Sequence, residues 1–121
     1  DKRCLFTPTE RCDMLVELCK DFQHIQVHIW DKLIVEFAEE HKAKVLIRGV
    51  RALTDFGYEF ELAMTNKSLN PNIEIVFMPT DPKYFVLRSS VIKQIARMQG
   101  AISKMVPDLV VEALKRKFPS G

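Results

Sequence analysis

Lys44 to Asn66 reads KVLIRGVRALTDFGYEFELAMTN, and this stretch decides the fold. Val45, Leu46 and Ile47 form a continuous apolar run of the kind found in strands covered on both sheet faces, which places them in a parallel sheet. Where the run ends, Gly49 permits backbone conformations closed to other residues and close approach of a ligand to the main chain. Arg48 and Arg51 flank it with planar guanidinium donors suited to phosphate or carboxylate. Open α/β sheets bind ligands beyond the carboxyl ends of their strands, so both arginines stand where a site is expected. From Asp55 onward the period changes. Phe56, Phe60, Ala63 and Met64 recur at helical spacing, while Asp55, Glu59 and Asn66 share another face. This helix carries a polar stripe back toward the arginines. Like charges four residues apart cost an isolated helix roughly 0.2–0.5 kcal/mol. Asp55 and Glu59 therefore gain from the helix N-terminus and the arginines, serve a ligand, or form a solvated face with a surface ion pair.

Working outward toward the N-terminus, Thr7-Pro8-Thr9-Glu10 is a helix start, with Thr7 as N-cap, Pro8 in the first helical position and Glu10 as the capping-box partner. The helix that follows places Cys12, Leu15, Val16 and Cys19 inward and ends near Asp21. Ile25, Val27 and Ile29 alternate with polar residues and predict a strand nearer a sheet edge. Asp31 is placed to cap a short helix carrying Leu33, Ile34, Phe37 and Ala38 and ending close to Glu40.

Toward the C-terminus, Asn70-Pro71-Asn72 marks a turn and Ile73 to Met78 a third strand, after which Pro79 and Pro82 punctuate a loop. A helix from Ser89 turns Val91, Ile92, Ile95 and Ala96 inward and stops at Gly100. Ser89 and Ser90 thus stand at a helix N-terminus beside Arg88, where free N–H groups and hydroxyls hold an anion or the serines simply cap the helix. A last helix from Pro107 to about Phe118 turns Leu109, Val110, Leu114 and Phe118 inward and ends in Lys115, Arg116 and Lys117, read as solvated surface. Strands alternating with helices at βαβ spacing predict an α/β fold with a doubly wound, Rossmann-like parallel sheet. Three such strands built around Val45 to Ile47 leave much apolar surface uncovered, so further sequence or a partner is expected to complete the sheet.

The bulk composition narrows the function. The 121 residues carry 18 basic and 16 acidic side chains, a net charge of +2, too little for the general polyanion surface of a nucleic-acid binder. Any anion site must be local. With 47% hydrophobic residues the chain can fill a core, and its length suits one domain over residues 1–121. Cys4, Cys12 and Cys19 are odd in number and lack paired spacing, which points to reduced thiols and a cytoplasmic setting. His24, His28 and His41 are scattered over different elements and suggest no metal site. No apolar stretch approaches the ~20 residues of a membrane span.

Four segments together resemble phosphopantetheine adenylyltransferases of the nucleotidyltransferase superfamily: LIRGVRALTDFGYEFELAMTN, FTPTER from Phe6 to Arg11, RSSVIKQIA from Arg88 to Ala96, and the Met98-Gln99-Gly100 stop. The resemblance spans nearly the whole chain. It implies adenylyl transfer from ATP to 4′-phosphopantetheine, giving dephospho-coenzyme A and pyrophosphate in coenzyme A biosynthesis. By matching motif, Lys2 and Arg48 resemble the residues that align the phosphates, and Leu33, Ile34 and Asn66, with Lys2 and Arg48, those that bind the acceptor. Gly49, Val50, Arg51, Glu59, Tyr84, Phe85, Val86, Leu87, Arg88, Ser89 and Ser90 match ATP-binding positions. Phe85 and Arg88 depart from the serines relatives commonly carry there, although Arg88 can still pair with the triphosphate.

The resemblance also implies Mg2+ accompanying ATP, feedback by coenzyme A and a homohexamer in the cytoplasm, with neither a nucleic-acid nor a membrane partner. The family's opening strand, turn and helix with a Thr-x-Gly-His-type signature has no counterpart here. The chain is therefore expected to be the C-terminal three quarters of such an enzyme, inactive alone. Two rivals stand beside this reading: a non-catalytic nucleotide- or coenzyme-binding α/β module, and a related nucleotidyltransferase with another phosphate acceptor.

Overall fold

The computed structural model describes residues 4–120 and divides into two compact units. One is a continuous segment, Trp30 to Val86. It holds α2 (Ile34–Glu40), β1 (Val45–Val50), α3 (Leu53–Leu69), β2 (Glu74–Pro79) and a 3-10 turn at Pro82–Tyr84. The other is made from the chain up to Ile29 and from Leu87 onward, with α1 (Pro8–Leu18), α4 (Ser89–Arg97) and α5 (Asp108–Lys117).

In the continuous unit β1 and β2 pair in parallel, from Val45 opposite Glu74 to Val50 opposite Pro79, with α3 as the crossover. The α/β class and the parallel pairing agree with the sequence reading. Strand alternation then sorts the side chains. Leu46 and Ile75 turn to one face and pack with Val35 and Ala38 of α2 and with Ile73, which is only 1% exposed. Phe77 lies on the same face, its ring 5.2 Å from that of Phe56 in α3. The opposite face is open, with Val45, Ile47, Val76 and Met78 all exposed, Ile47 by 62%. The apolar run at Val45 to Ile47 is thus covered on one face only, and the uncovered apolar surface anticipated from a small parallel sheet is present. The strand expected at Ile25 to Ile29 does not form. That segment is irregular and joins no ladder, because period-two alternation supplies an apolar edge but no partner for its backbone.

The boundaries shift for local reasons. β1 runs on through Arg48, Gly49 and Val50, so these residues belong to the strand and not to the loop after it. α3 begins at Leu53, two residues before Asp55, with Ala52 as N-cap and no side-chain cap, which places Asp55 in the first turn where the dipole favours an acid. Leu33, and not Asp31, stands at the N-cap of α2, again without a side-chain bond.

In the discontinuous unit, α1 has the full capping box. Thr7 Oγ1 accepts from the Glu10 N–H at 3.1 Å, and the Thr7 N–H donates to Glu10 Oε1 at 2.9 Å, a pattern worth about 1 kcal/mol. The helix ends at Leu18 with no residue buried. Leu15 and Val16 are exposed and Cys12 and Cys19 half-buried, which corrects the inward face assigned to them. The core lies around α4 and α5, where Ala96, Ile102, Val111 and Leu114 pack with Phe6, Ile92, Ile95 and Val110. Val91 is exposed and Ala113 buried, against the simpler stripes expected for these helices. Lys117 is not plain solvated surface, since its Nζ meets Glu10 Oε2 at 3.1 Å and lies over the Phe6 ring.

α4 ends in a Schellman turn. The Gln99 N–H donates to Ala96 O at 3.0 Å and the Gly100 N–H to Ile95 O at 2.8 Å. The left-handed residue is Gln99, with φ of 61°, and Gly100 meets a steric demand instead: a Cβ there would stand 2.6 Å from Ile95 Cγ2. Among the described residues no helix is long and apolar enough to cross a membrane.

Candidate functional site

Arg48 and Glu59 form the centre of the continuous unit. Arg48 shares its side of β1 with Leu46, the side that α3 covers, and Glu59 reaches it from the second turn of that helix. Arg48 Nε donates to Glu59 Oε2 and Nη2 to Oε1, both at 2.8 Å. This fork-to-carboxylate geometry is the strongest form of side-chain ion pair. The hydrogen bonds from Arg48 hold the Glu59 carboxyl below the usual glutamate range, and in return Glu59 raises the affinity of Arg48 for its proton. Glu59 is largely shielded while Arg48 is half exposed. The fork uses Nε and Nη2, so Nη1 remains for an anion among the donors a guanidinium carries.

Two clefts meet at Glu59. One, of about 160 Å³, is lined by Ile34, Leu46, Arg48, Glu59, Asn66 and Ile75 among others. Asn66 is 8% exposed and is the buried polar residue of this wall. The second, of about 370 Å³, is lined by Gly49, Arg51, Thr54, Asp55, Tyr58 and Glu59. Arg51 Nε stands 3.4 Å from Asp55 Oδ2 on its rim. The polar stripe of α3 does turn back to the arginines, and its two acids are each paired with one of them.

Gly49 contributes differently from the expectation. Among the described residues no glycine has positive φ, so its backbone freedom is not used. Its value is space, because a Cβ at Gly49 would meet no atom within 4 Å, leaving the β1 backbone open to the second cleft.

In the discontinuous unit a cleft of about 340 Å³ is mostly apolar, with Arg11, Ser89 and Lys93 as its polar members. Arg88 is the N-cap of α4 without a side-chain bond, so plain capping by Ser89 or Ser90 is not observed. A larger cleft, about 480 Å³, opens between α1 and α5 and contains none of the residues that the resemblance assigns to binding. Its Glu10 and Lys117 are engaged in holding the two helices together, so size here does not mark chemistry.

Residues 1–95 match a family model described as cytidylyltransferase-like. The chain is 45% identical over 117 residues to the phosphopantetheine adenylyltransferase of Caldanaerobacter subterraneus subsp. tengcongensis, a match covering 97% of this chain and 73% of that protein. It is 42% identical over 118 residues to the phosphopantetheine adenylyltransferase of Clostridium botulinum strain Langeland, covering 98% and 72%. The chain belongs to the phosphopantetheine adenylyltransferase family.

Of the positions that resemble binding residues of phosphopantetheine adenylyltransferases, Ile34, Arg48 and Asn66 line one cleft, and Gly49, Arg51 and Glu59 line the other. Leu33 is exposed, and its carbonyl accepts from the Trp30 indole at 2.8 Å. Val50 closes β1 opposite Pro79. Tyr84, Phe85 and Val86 end the continuous unit, all exposed, and Leu87, Arg88, Ser89 and Ser90 open the second segment of the other. Lys2 lies outside the described residues.

Sequence reasoning missed Thr54 and Tyr58, which wall the cleft beside Arg51. Their signal was available, since Thr54 and Tyr58 are four apart and each precedes one of the acids, but it requires the helix to start at Leu53. Leu46 and Ile75 were also missed as cleft residues, because an apolar strand residue carries no mark distinguishing a core wall from a ligand wall.

Proposed function

We propose that this protein transfers the adenylyl group of ATP to 4′-phosphopantetheine, forming dephospho-coenzyme A and pyrophosphate in coenzyme A biosynthesis. An oxygen of the acceptor phosphate attacks the α-phosphorus as the bond to the β-phosphate oxygen breaks, and pyrophosphate carries away the electron pair. No covalent enzyme intermediate is needed, so the protein's work is to align two anions and offset the charge on the transferred group.

In this reading Arg48 presents Nη1 to the acceptor phosphate, while Leu33, Ile34 and Asn66 hold the pantetheine arm. Gly49, Val50, Arg51 and Glu59, with the run Tyr84 to Ser90, receive ATP, and Lys2 aligns both phosphates. Among the described residues no three His, Cys, Asp or Glu side chains gather to hold a metal, so we place Mg2+ on the triphosphate as part of the nucleotide substrate, where it would neutralise phosphate charge. A cytoplasmic homohexamer subject to coenzyme A feedback, without nucleic-acid or membrane partners, completes the proposal.

The observation that carries it is Arg48 at the carboxyl end of β1, aimed into a cleft shared with Ile34 and Asn66. The test is pyrophosphate release from ATP dependent on 4′-phosphopantetheine. In the complete enzyme, Arg48→Ala is expected to lower kcat/KM for the acceptor on the order of 10²-fold, as removal of one partner from a charge pair does. Unchanged steady-state kinetics would sink the assignment of Arg48. Release that ignores the acceptor would sink the proposed reaction.

A further inference from the structure

Glu59 lines both clefts of the continuous unit, and both of its oxygens are taken by Arg48. A ligand in the Arg51–Asp55 cleft that hydrogen-bonds to Glu59 must therefore share or displace an oxygen now held by the guanidinium. What Arg48 loses on one side it regains as capacity for an anion on the other. We infer that Glu59 is a positioning residue that links the two clefts, so that occupation of the Arg51–Asp55 cleft by nucleotide frees Arg48 and tightens binding of a phosphate in the Arg48–Asn66 cleft.

The inference rests on the substrate assignment above and adds a coupling between the two substrates that the assignment does not require. Three features support it. The two bonds are short and parallel, so while the fork holds, Arg48 offers a phosphate only Nη1 and the second N–H of Nη2, and opening the fork adds the remaining donors. Glu59 is mostly removed from solvent, so its charge cancels that of Arg48 more fully than a solvated acid would. Arg51, on the nucleotide side, has its own acid in Asp55, which leaves Glu59 as the only acid that both clefts share among the described residues. Linkage is reciprocal by thermodynamic necessity, so the phosphate ligand must tighten nucleotide binding by the same factor.

The experiment is calorimetric titration with 4′-phosphopantetheine, with and without saturating α,β-methylene-ATP, which cannot release pyrophosphate. In the wild-type protein the analogue is expected to tighten the acceptor about fivefold or more. In Glu59→Gln, which keeps the size but not the charge, the acceptor should bind without nucleotide at least as tightly as to the wild type, and the coupling should fall to about onefold. Asp55→Asn removes the neighbouring acid but keeps the Arg48–Glu59 fork, and should retain the coupling. Equal acceptor affinity with and without the analogue in the wild type, or coupling that survives in Glu59→Gln, overturns the linkage alone. Failure of the wild type to bind either ligand removes both the linkage and the substrate assignment beneath it. Should Glu59→Gln not fold, loss of coupling in Glu59→Asp, whose shorter carboxylate cannot span both clefts, supports the link, and full coupling there refutes it.

Discussion

Protonating Glu59 removes one charge from the Arg48 fork, and this sets how the site responds to acid. A carboxyl depressed in the folded state contributes stability that is complete above the unfolded value, about 4.3 for glutamate, and is lost as pH falls through the lower folded value. The raised affinity of Arg48 for its proton acts only at extreme alkaline pH and does not enter. Because the guanidinium is half exposed, the contribution is discounted for solvent to about 1 kcal/mol or less. Urea unfolding of wild type and Glu59→Gln should thus differ at pH 7 and converge in acid as the depressed Glu59 carboxyl takes up its proton. A gap that stays constant or widens in acid would contradict the pairing. Both members of the fork could be read from the sequence as site candidates, Arg48 as an anion binder by its place after an apolar run and Glu59, on the polar stripe with Asp55, as an acid that pairs or serves a ligand. Pairing of the α3 acids with the arginines was one of the alternatives the sequence offered, but which acid meets which arginine was not legible, because the distance from β1 to the second turn of the next helix is fixed by packing and not by sequence separation.

The helices whose ends carry local chemistry were the most legible elements. Thr7, Pro8 and Glu10 specify the start of α1 within four residues, and the start lies where they put it. The stop at Gly100 was placed correctly for a different reason from the one that acts. Gln99 takes the left-handed position, while Gly100 is required because a side chain would press on Ile95. Ile95 is β-branched and stiff within its helix, so it has little room to yield. Gly100→Ala should therefore destabilise the protein by roughly 1–3 kcal/mol, measured by thermal or denaturant unfolding, the usual range for overpacking. Equal or greater stability would mean that Ile95 moves aside. The strand expected at Ile25 to Ile29 shows the opposite case. Its alternation is real, but a strand exists only where a neighbour accepts its hydrogen bonds, and no pattern within one segment supplies that neighbour.

At the scale of the molecule, two cores of modest size accompany a sheet with one bare apolar side. Ile47, Val76 and Met78 give that side contiguous hydrophobic surface of the kind that binds hydrophobic dyes. The chain should enhance the fluorescence of anilinonaphthalene sulfonate while folded, and the double variant Ile47→Thr, Val76→Thr should reduce that signal by more than half without loss of secondary structure. An unchanged signal would place the dye elsewhere. The α/β class and the parallel pairing were legible because a buried-type run followed by a helix has few other solutions. The division into two units was not, since the first and last segments meet through contacts remote in sequence, such as Lys117 with Glu10.

The ladder between β1 and β2 has one last consequence. Arg48 stands opposite Phe77, whose ring abuts Phe56, one turn of α3 before Glu59. A slip of β1 by one residue would turn the guanidinium outward and present Ile47 to the carboxylate in its place. Such a slip would break the Arg48–Glu59 fork, so the ion pair between β1 and α3 reports the alignment of the strand with its neighbour.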